Sequence, residues 1–329
     1  MKIGKLPENV LKRSVFKMIT HRRQEVLIPP GVGLDCAVAD LGNDELVVMS
    51  CDPITGASKD IGKLAVHVTA NDLASNGAIP VGLMVTALLP VSIKESQIKA
   101  VMKEMDDECR KLNMEVMGGH TEVTDAVNKI VLSVAGIGKI KKDKMLSSDN
   151  IKLGYEIVVT KSVGLEGTSI IASEKQEELE EHFPKQLVET AKGFVNDISV
   201  VHEGRVAADN GAVFMHDVTE GGIFGALWEI SSAAGYGIEV DLKKIPIRQE
   251  TVEICNYVDI NPYMLISSGS MVIVTPNGNA MVDVLAGEGI GAAVIGRFTD
   301  NNDKVVVNGD DKRYLEQPSV DELYKVVAS

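Results

Sequence analysis

The sequence predicts a two-domain α/β (α+β) chain. Three observations carry this: the length, an alternation of strand and helix signals along the whole chain, and a charged passage near the middle. Its 329 residues suit two domains of roughly 100–200 residues each. Hydrophobic residues make up 45% and charged residues 24%, a balance that excludes wholesale disorder. No window approaches the roughly 18 consecutive apolar residues of a membrane-spanning helix. The opening MKIGKLPENVLKRS lacks the apolar core of a secretory signal. These readings predict a cytoplasmic protein with no membrane contact.

In chain order, the apolar run 46–51 (LVVMSC) reads as a buried strand ending at Asp52 and Pro53. Residues 64–76 read as a helix stopped by Gly77, since glycine suits the left-handed position after a helix. Residues 81–89 read as a second strand, closed by Pro90. The clearest helix spans 93–112: Ser92 and Glu95 form a capping-box pattern, and Ile98, Val101, Met102, Met105, Cys109 and Leu112 share one face. Strands are predicted at 114–117 and 130–137, separated by a polar turn over 118–125. The charged passage 139–154 (KIKKDKMLSSDNIKLG) marks a boundary near residue 150. It divides a basic arm (1–30) and a first domain (31–150) from a second domain (151–329).

The second domain opens on a predicted strand at 157–160, followed by an acidic stretch, 174–181, read as a solvated helix or loop. A helix over 194–209, a strand at 212–215 and a helix over 222–234 ending at Gly235 come next. Strands at 271–275 and 292–295, with a helix over 280–285, complete a sheet covered by helices.

Charge and cysteines narrow the function classes. Lys and Arg number 33 against 47 Asp and Glu, a net charge of −14. The first 30 residues alone are net +5, from seven basic and two acidic residues, which leaves −19 on the rest. Phosphate binding needs clustered cations, so the body argues against nucleic acid. Aromatic residues, 4% of the chain, are too few for base-stacking platforms. Within the arm, Val10, Leu11, Val15, Phe16 and Ile19 form an amphipathic run that predicts a helix docked on the body. Cys36, Cys51, Cys109 and Cys255 show no CxxC spacing, which excludes a structural zinc site and a disulfide framework.

Five segments share one character, an acid or histidine in a turn at the end of a strand or within a helix of small residues. They are GVGLDCA (31–37), SCDP (50–53), TANDLA (69–74), GGHTE (118–122) and HDVTEGG (216–222). Glycines let backbone approach a ligand and supply N–H donors for anions. Carboxylates beside them suit Mg²⁺ held jointly by protein and nucleotide phosphates, and phosphoryl transfer is mostly positioning and charge neutralisation. Each segment also has a plain structural reading. Asp35 and Asp52 suit ordinary turns, His120 and His216 stabilise glycine turns, and Glu220 satisfies a helix start. Asp72, flanked by small apolar residues inside a predicted helix, needs a partner if buried. No P-loop, GxGxxG helix opening, GxSxG elbow or HExxH is present.

In order and spacing these segments resemble the ATP-binding superfamily of aminoimidazole ribonucleotide (AIR) synthase. Its members include the hydrogenase-maturation protein HypE, thiamine-monophosphate kinase and selenophosphate synthetase. The resemblance runs from about residue 29 to 296. GVGLDCAVAD resembles the family's GxGDDAAV, NDLASNGAIPVG its NDxxxxGAxP signature, GGHTEV its GGDT, VVTKSVGLEGTSIIA its second-domain strand and glycine loop, and HDVTEGG its xDxTxGG. The last is closest to HypE and AIR-synthase-related proteins. The resemblance implies a first domain whose mixed sheet pairs with a second copy into a dimeric barrel, a C-terminal α/β sandwich, and a homodimer that binds ATP and Mg²⁺. It implies Asp35, Asp52 and Asp72 as Mg²⁺/phosphate carboxylates. Asn71, Gly118, Gly119 and His120 join them in holding the nucleotide, with Lys161, Gly164 and Gly167 beside it. Asp217, Thr219 and Glu220, with His216, are implied to face the acceptor or a second metal.

Departures accompany the matches. Leu34 stands where the family has an acid, and His120 where relatives often have Asp. HypE carries its substrate on a C-terminal cysteine, whereas this sequence closes on Val327, Ala328 and Ser329, so that route is expected to be closed. The leading expectation is ATP-dependent phosphorylation of a small molecule or a protein group. Alternatives are hydrogenase-maturation dehydration on a partner's thiol, a non-catalytic nucleotide-binding scaffold, and, last, a metal hydrolase using His67, His120 and His216, whose spacing is not that of metal ligands.

Overall fold

The structure, a computed structural model, describes residues 8–19, 23–42, 44–55, 60–317 and 320–327. Lys2, Lys5 and Arg22 of the basic arm, and the terminal Ala328 and Ser329, lie outside the described residues. The chain forms two compact units, one of residues 23–29 and 35–145, the other of residues 1–22, 30–34 and 146–329.

The larger unit begins with helix α1 (Glu8–Ser14) and a 3-10 turn, Phe16–Met18. The amphipathic helix expected through Ile19 therefore stops early: Val15 and Ile19 are exposed, while Val10 and Phe16 are half-buried. What ties α1 down is polar, since Glu8 Oε2 accepts from the indole Nε1 of Trp228 at 3.1 Å.

The smaller unit is one mixed sheet of six strands, β1 (Val26–Ile28), β2 (Ala37–Ala39), β3 (Glu45–Ile54), β4 (Ile79–Pro90), β5 (Glu115–Thr124) and β6 (Val131–Lys141). Their spatial order is β1-β2-β3-β6-β4-β5. β3 and β4 each run antiparallel to β6, and β4 runs parallel to β5. The two parallel relations, β3 to β4 and β4 to β5, need crossovers, supplied by helices α2 (Ile61–Ser75) and α3 (Glu95–Lys111). Period-two alternation sorts the faces. Leu46 and Val48 cluster with Leu73 of α2, whereas Met49, Cys51, Met84 and Thr86 remain exposed on the opposite face.

Three local expectations shift. β3 runs on through Asp52 and Pro53, paired with Val134 and Ser133. Among the described residues only β6 pairs with β3 beyond Met49, so the proline's missing N–H falls on an edge. α3 starts at Glu95 because the N–H of Ile93 donates to Pro90 O at 2.9 Å, which commits Ser92 to a turn. Gln97 then accepts from the N–H of Lys94 at 3.0 Å. Finally, residues 118–124 are strand rather than turn. β5 pairs with β4 through both glycines, with a bulge at Met117. Gly119 has φ +148, and a Cβ there would sit 1.8 Å from Val85 O, so only glycine lets the two backbones lie together.

The larger unit is an α/β sandwich around a second sheet. Its strands are β7 (Glu156–Thr160), β8 (Phe214–Asp217), β9 (Gly237–Asp241), β10 (Met271–Thr275), β11 (Ala292–Thr299), β12 (Lys304–Asn308) and β13 (Asp311–Tyr314). The order is β13-β12-β9-β11-β7-β10-β8, with only the β12–β9 pair parallel. β8 and β10 are buried at every residue, as strands covered on both faces must be. The helices are α4 (Leu165–Glu174), α5 (Gln176–His182), α6 (Lys185–Gly193), α7 (Val201–Asp209), α8 (Gly222–Ala234), α9 (Gln249–Tyr257), α10 (Gly278–Gly287) and α11 (Tyr324–Val327). Ile223, Leu227 and Ile230 of α8 pack with Ile157, Val159, Val272 and Val274 in one core. A second core joins α4, α6 and α9 to Leu323 and Val326. Truncating any such fully buried Leu or Ile to Ala costs about 2–5 kcal/mol.

The helix predicted over 194–209 is broken into a 3-10 turn, Phe194–Asn196, and α7. Lys161 explains the break: its ammonium donates to the carbonyls of Asp197, at 2.9 Å, and Ser199. Carbonyls turned to a side chain are lost to the helical ladder.

Candidate functional site

In the smaller unit the site residues gather at the C-terminal half of α2. Asn71 and Asp72 are buried there, in a helix whose 67–76 stretch is small and polar enough to accept a loop against it. Ser75 Oγ donates to Asp35 Oδ2 at 3.2 Å and to Asp72 O at 2.7 Å. Cys36 Sγ donates to the same Asp72 carbonyl at 3.1 Å, as does Asn76 Nδ2 at 3.4 Å. The segment bearing half-buried Asp35 is thus pinned to the helix end that carries Asp72. Asp52 stands on β3 on the same face as Ser50, half-buried. Ser50 Oγ is buried with no hydrogen-bond partner among the described residues.

Gly118 and Gly119 lie on the edge strand β5, with their backbone exposed. His120 follows on the strand, exposed, with Nε2 3.2 Å from Glu122 Oε2. His67 is buried between α2 and α3, Nε2 3.1 Å from Glu108 Oε2, and Glu108 Oε1 takes Lys111 at 2.8 Å. Burial holds the His67 imidazole below its ordinary pKa, against the pull of Glu108. Each of these two histidines thus lies beside its own glutamate, His67 in the interior and His120 at the surface.

In the larger unit the segment 216–222 runs from the end of β8 into α8. His216 and Asp217 are buried, and His216 Nε2 lies 2.8 Å from Glu229 Oε2 on α8. Thr219 and Glu220 are half-buried in the turn, closed by the N–H of Gly222 donating to Thr219 O at 3.0 Å. The N–H of Gly221 donates to Asp321 Oδ2 at 2.7 Å. Asp321 Oδ1 accepts from Ile266 N at 3.2 Å and Leu323 N at 2.8 Å. Burial pushes the Asp321 carboxyl up to about 6, although these three N–H donors pull it down.

Lys161, Gly164 and Gly167 fall in the same unit. Besides its two carbonyls, the Lys161 ammonium forms an ion pair with buried Glu203 at 2.7 Å, within the unit. The N–H of Gly164 donates to Ser267 Oγ, and Gly167 packs where a Cβ would meet Leu265 Cγ at 2.4 Å. Glu166, wholly buried beside them, accepts from Ser268 N at 3.3 Å, and burial raises its pKa. Sequence reasoning missed Glu229 and Asp321. Glu229 lies 13 residues from its histidine, and Asp321 sits in a segment without a motif. The only signal was an acid set among apolar residues in SVDELYKVV.

Among the described residues no helix is long and apolar enough to cross a membrane. The AIR synthase related protein N-terminal domain matches residues 33–140, and the C-terminal domain matches residues 152–308. A Methanocaldococcus jannaschii protein named for hydrogenase expression/formation is 26% identical over 98% of this chain and 97% of its own length. Carbamoyl dehydratase HypE of Rhodobacter capsulatus is 27% identical over 74% of this chain and 72% of its own. Among solved structures, HypE in complex with ATP superposes at TM-score 0.68 with 21% identity, over 97% of this chain and 96% of that one. A ThiL structure with AMPPCP and TMP superposes at TM-score 0.73 with 17% identity, over 96% and 98%. The two matched domains cover most of the sequence in the family's order, and the chain belongs to the AIR synthase related proteins.

Proposed function

We propose that the protein binds Mg²⁺ and ATP and transfers the terminal phosphoryl group to an oxygen of an acceptor. The observation that carries this is the linkage, through Ser75, of the Asp35 carboxylate to the backbone carbonyl of Asp72, which brings two residues of the expected set to one buried helix end. The donor chemistry fits Mg²⁺: Asp35, Asp52 and Asp72 are hard oxygen ligands, and the unpartnered Ser50 hydroxyl shares a strand face with Asp52. Bound Mg²⁺ supplies charge neutralisation for the phosphates. Asn71, Gly118, Gly119 and His120 hold the nucleotide, the glycines by letting it approach the exposed backbone of the edge strand. In the larger unit Glu220 takes the proton of the acceptor hydroxyl as its oxygen bonds to phosphorus and ADP leaves. Asp217 positions that hydroxyl, and Glu229 orients His216. Lys161 acts as a brace under the loop that carries Gly164 and Gly167. The solved relatives with ATP and AMPPCP support the nucleotide reading. The carbamoyl dehydratase relative favours a second one, in which the phosphorylated oxygen is a carbamoyl oxygen and is then eliminated.

The test is calorimetric titration of ATP, with and without Mg²⁺, into wild type, Asp35→Asn and Asp72→Ala. Saturable Mg²⁺-dependent binding to wild type, weakened about 100-fold in either variant by loss of a charged ligand, is the expected result. Equal binding in all three proteins sinks the reading. We also propose that the exposed sheet face of the smaller unit pairs two copies, because Met49 and Met84 are 39% and 42% exposed there and pairing would remove them from water. Light scattering on Met84→Glu checks this, with a dimeric wild type and a monomeric variant expected.

A further inference from the structure

We infer that the larger unit carries a pocket for a planar aromatic anion, and that this pocket holds the ring of the acceptor; the second half rests on the phosphoryl-transfer reading. A cavity of about 370 Å³ lies among the start of α8, the Pro262–Met264 turn and the β12–β13 hairpin, a size suited to a small-molecule ligand. Gly221, the residue after Glu220, is on its wall.

Four observations fix the ligand class. The rings of Phe224 and Tyr263 stack at 5.3 Å with 15° between planes, giving a flat aromatic surface. Aromatic residues are scarce, 13 in the whole sequence (six Phe, six Tyr and one Trp), yet Phe224, Tyr263 and Tyr314 all line this one cavity. Aliphatic walls from Leu242, Val306 and Leu315 complete an apolar slot, the setting in which a flat ring gains most from burial. At the mouth stands Arg313, exposed, whose guanidinium makes no hydrogen bond or ion pair with any described residue. Guanidinium binds carboxylate and phosphate through paired N–H donors, and in a chain of net charge −14 it stands out as a local attractor of anions. Glu316, also on the wall, offers an acceptor for a hydroxyl or amino group on the same ligand.

The pocket is built rather than incidental. Gly222 has φ +62, and a Cβ there would meet Tyr263 O at 2.6 Å. Glycine at 222 therefore permits the close approach that brings Phe224 under Tyr263. Arg313, Tyr314 and Leu315 follow residue 308, where the match to the family's C-terminal domain ends. The mouth lies outside the matched domain, where acceptor choice is expected to vary among relatives.

Calorimetry on the full chain in saturating Mg²⁺–ATP, with 2-naphthyl phosphate as the probe, tests the assignment. One-to-one binding is expected, weakened about ten-fold for neutral 2-naphthol, for non-aromatic cyclohexyl phosphate, and in Arg313→Gln. Arg313 is exposed, so the variant keeps its fold, and Tyr263→Leu provides a second perturbation of the ring wall. No saturable binding, or binding abolished by ATP, overturns the pocket, and so does affinity unchanged in both variants. A protein that binds Mg²⁺–ATP but not the probe loses the pocket and keeps the phosphoryl-transfer reading. One that binds the probe but not ATP keeps the pocket, while its assignment to an acceptor falls.

Discussion

In the smaller unit, Asp72 is held by its own neighbourhood, through Ser75 and Asn76 within four residues and the segment 35–36 closing over them. In the larger unit, the segment 216–222 is held from far away, with Gly221 bonded to Asp321, 100 residues on. The first arrangement follows from helical spacing, which places residues three and four apart together. The second depends on the C-terminal segment returning across the unit to meet two loops at once. A local arrangement tolerates distant change, whereas a long-range one fails when a single remote side chain is lost.

The sharpest way to break this contrast is at the backbone. Gly119→Val must push β5 off β4, because its Cβ would fall 1.8 Å from Val85 O; a loss of about 4 kcal/mol or outright failure to fold is expected. Chemical denaturation followed by circular dichroism reads this directly. Next comes Lys161→Met, which strands the buried Glu203 carboxylate and frees two carbonyls. About 2–3 kcal/mol should be lost, and adding Glu203→Gln should restore most of it.

The pH-dependent effects come last, at most equal to that of Lys161→Met, and in them the two units move in opposite directions. Asp321 has its folded pKa raised to about 6 from 3.8, so the folded state binds more protons than the unfolded state between those values. Stability should fall as pH rises from about 4 to 6, by up to ~2–3 kcal/mol, and Asp321→Asn should flatten that slope. His67 has its folded pKa lowered from 6.5 by burial. There the unfolded state takes up the proton first, so stability should fall as pH drops below about 6.5, and His67→Gln should remove that loss. Melting temperatures across pH 4–8 separate the two. A wild type and variants with parallel profiles would remove the electrostatic part of the contrast.

The sequence was most legible where periodicity and glycine acted together. The helix at 222–234 with Gly235 behind it, and the strand at 271–275, come out at the residues predicted. Legibility failed where a partner overrode local signals. GGHTE reads as a turn by composition, yet the parallel β4 recruits it as strand. Residues 194–209 read as one helix until Lys161 claims two of their carbonyls. The same holds for the site. The residues of the NDLAS segment meet through helical spacing, whereas Glu229 and Asp321 carry no motif and are found only by contact.

By itself, the sequence determined the family and the alternating two-domain character of this chain, because motif order and hydrophobic period are properties of the chain alone. Tertiary structure decided which polar groups are spent and which remain. It paired Lys161 with Glu203 and His67 with Glu108, stacked Phe224 on Tyr263, and left Arg313 without a partner among the described residues. The physical reason is that burial and hydrogen bonding fix a side chain's charge and availability, and both depend on residues that the chain brings together only when folded.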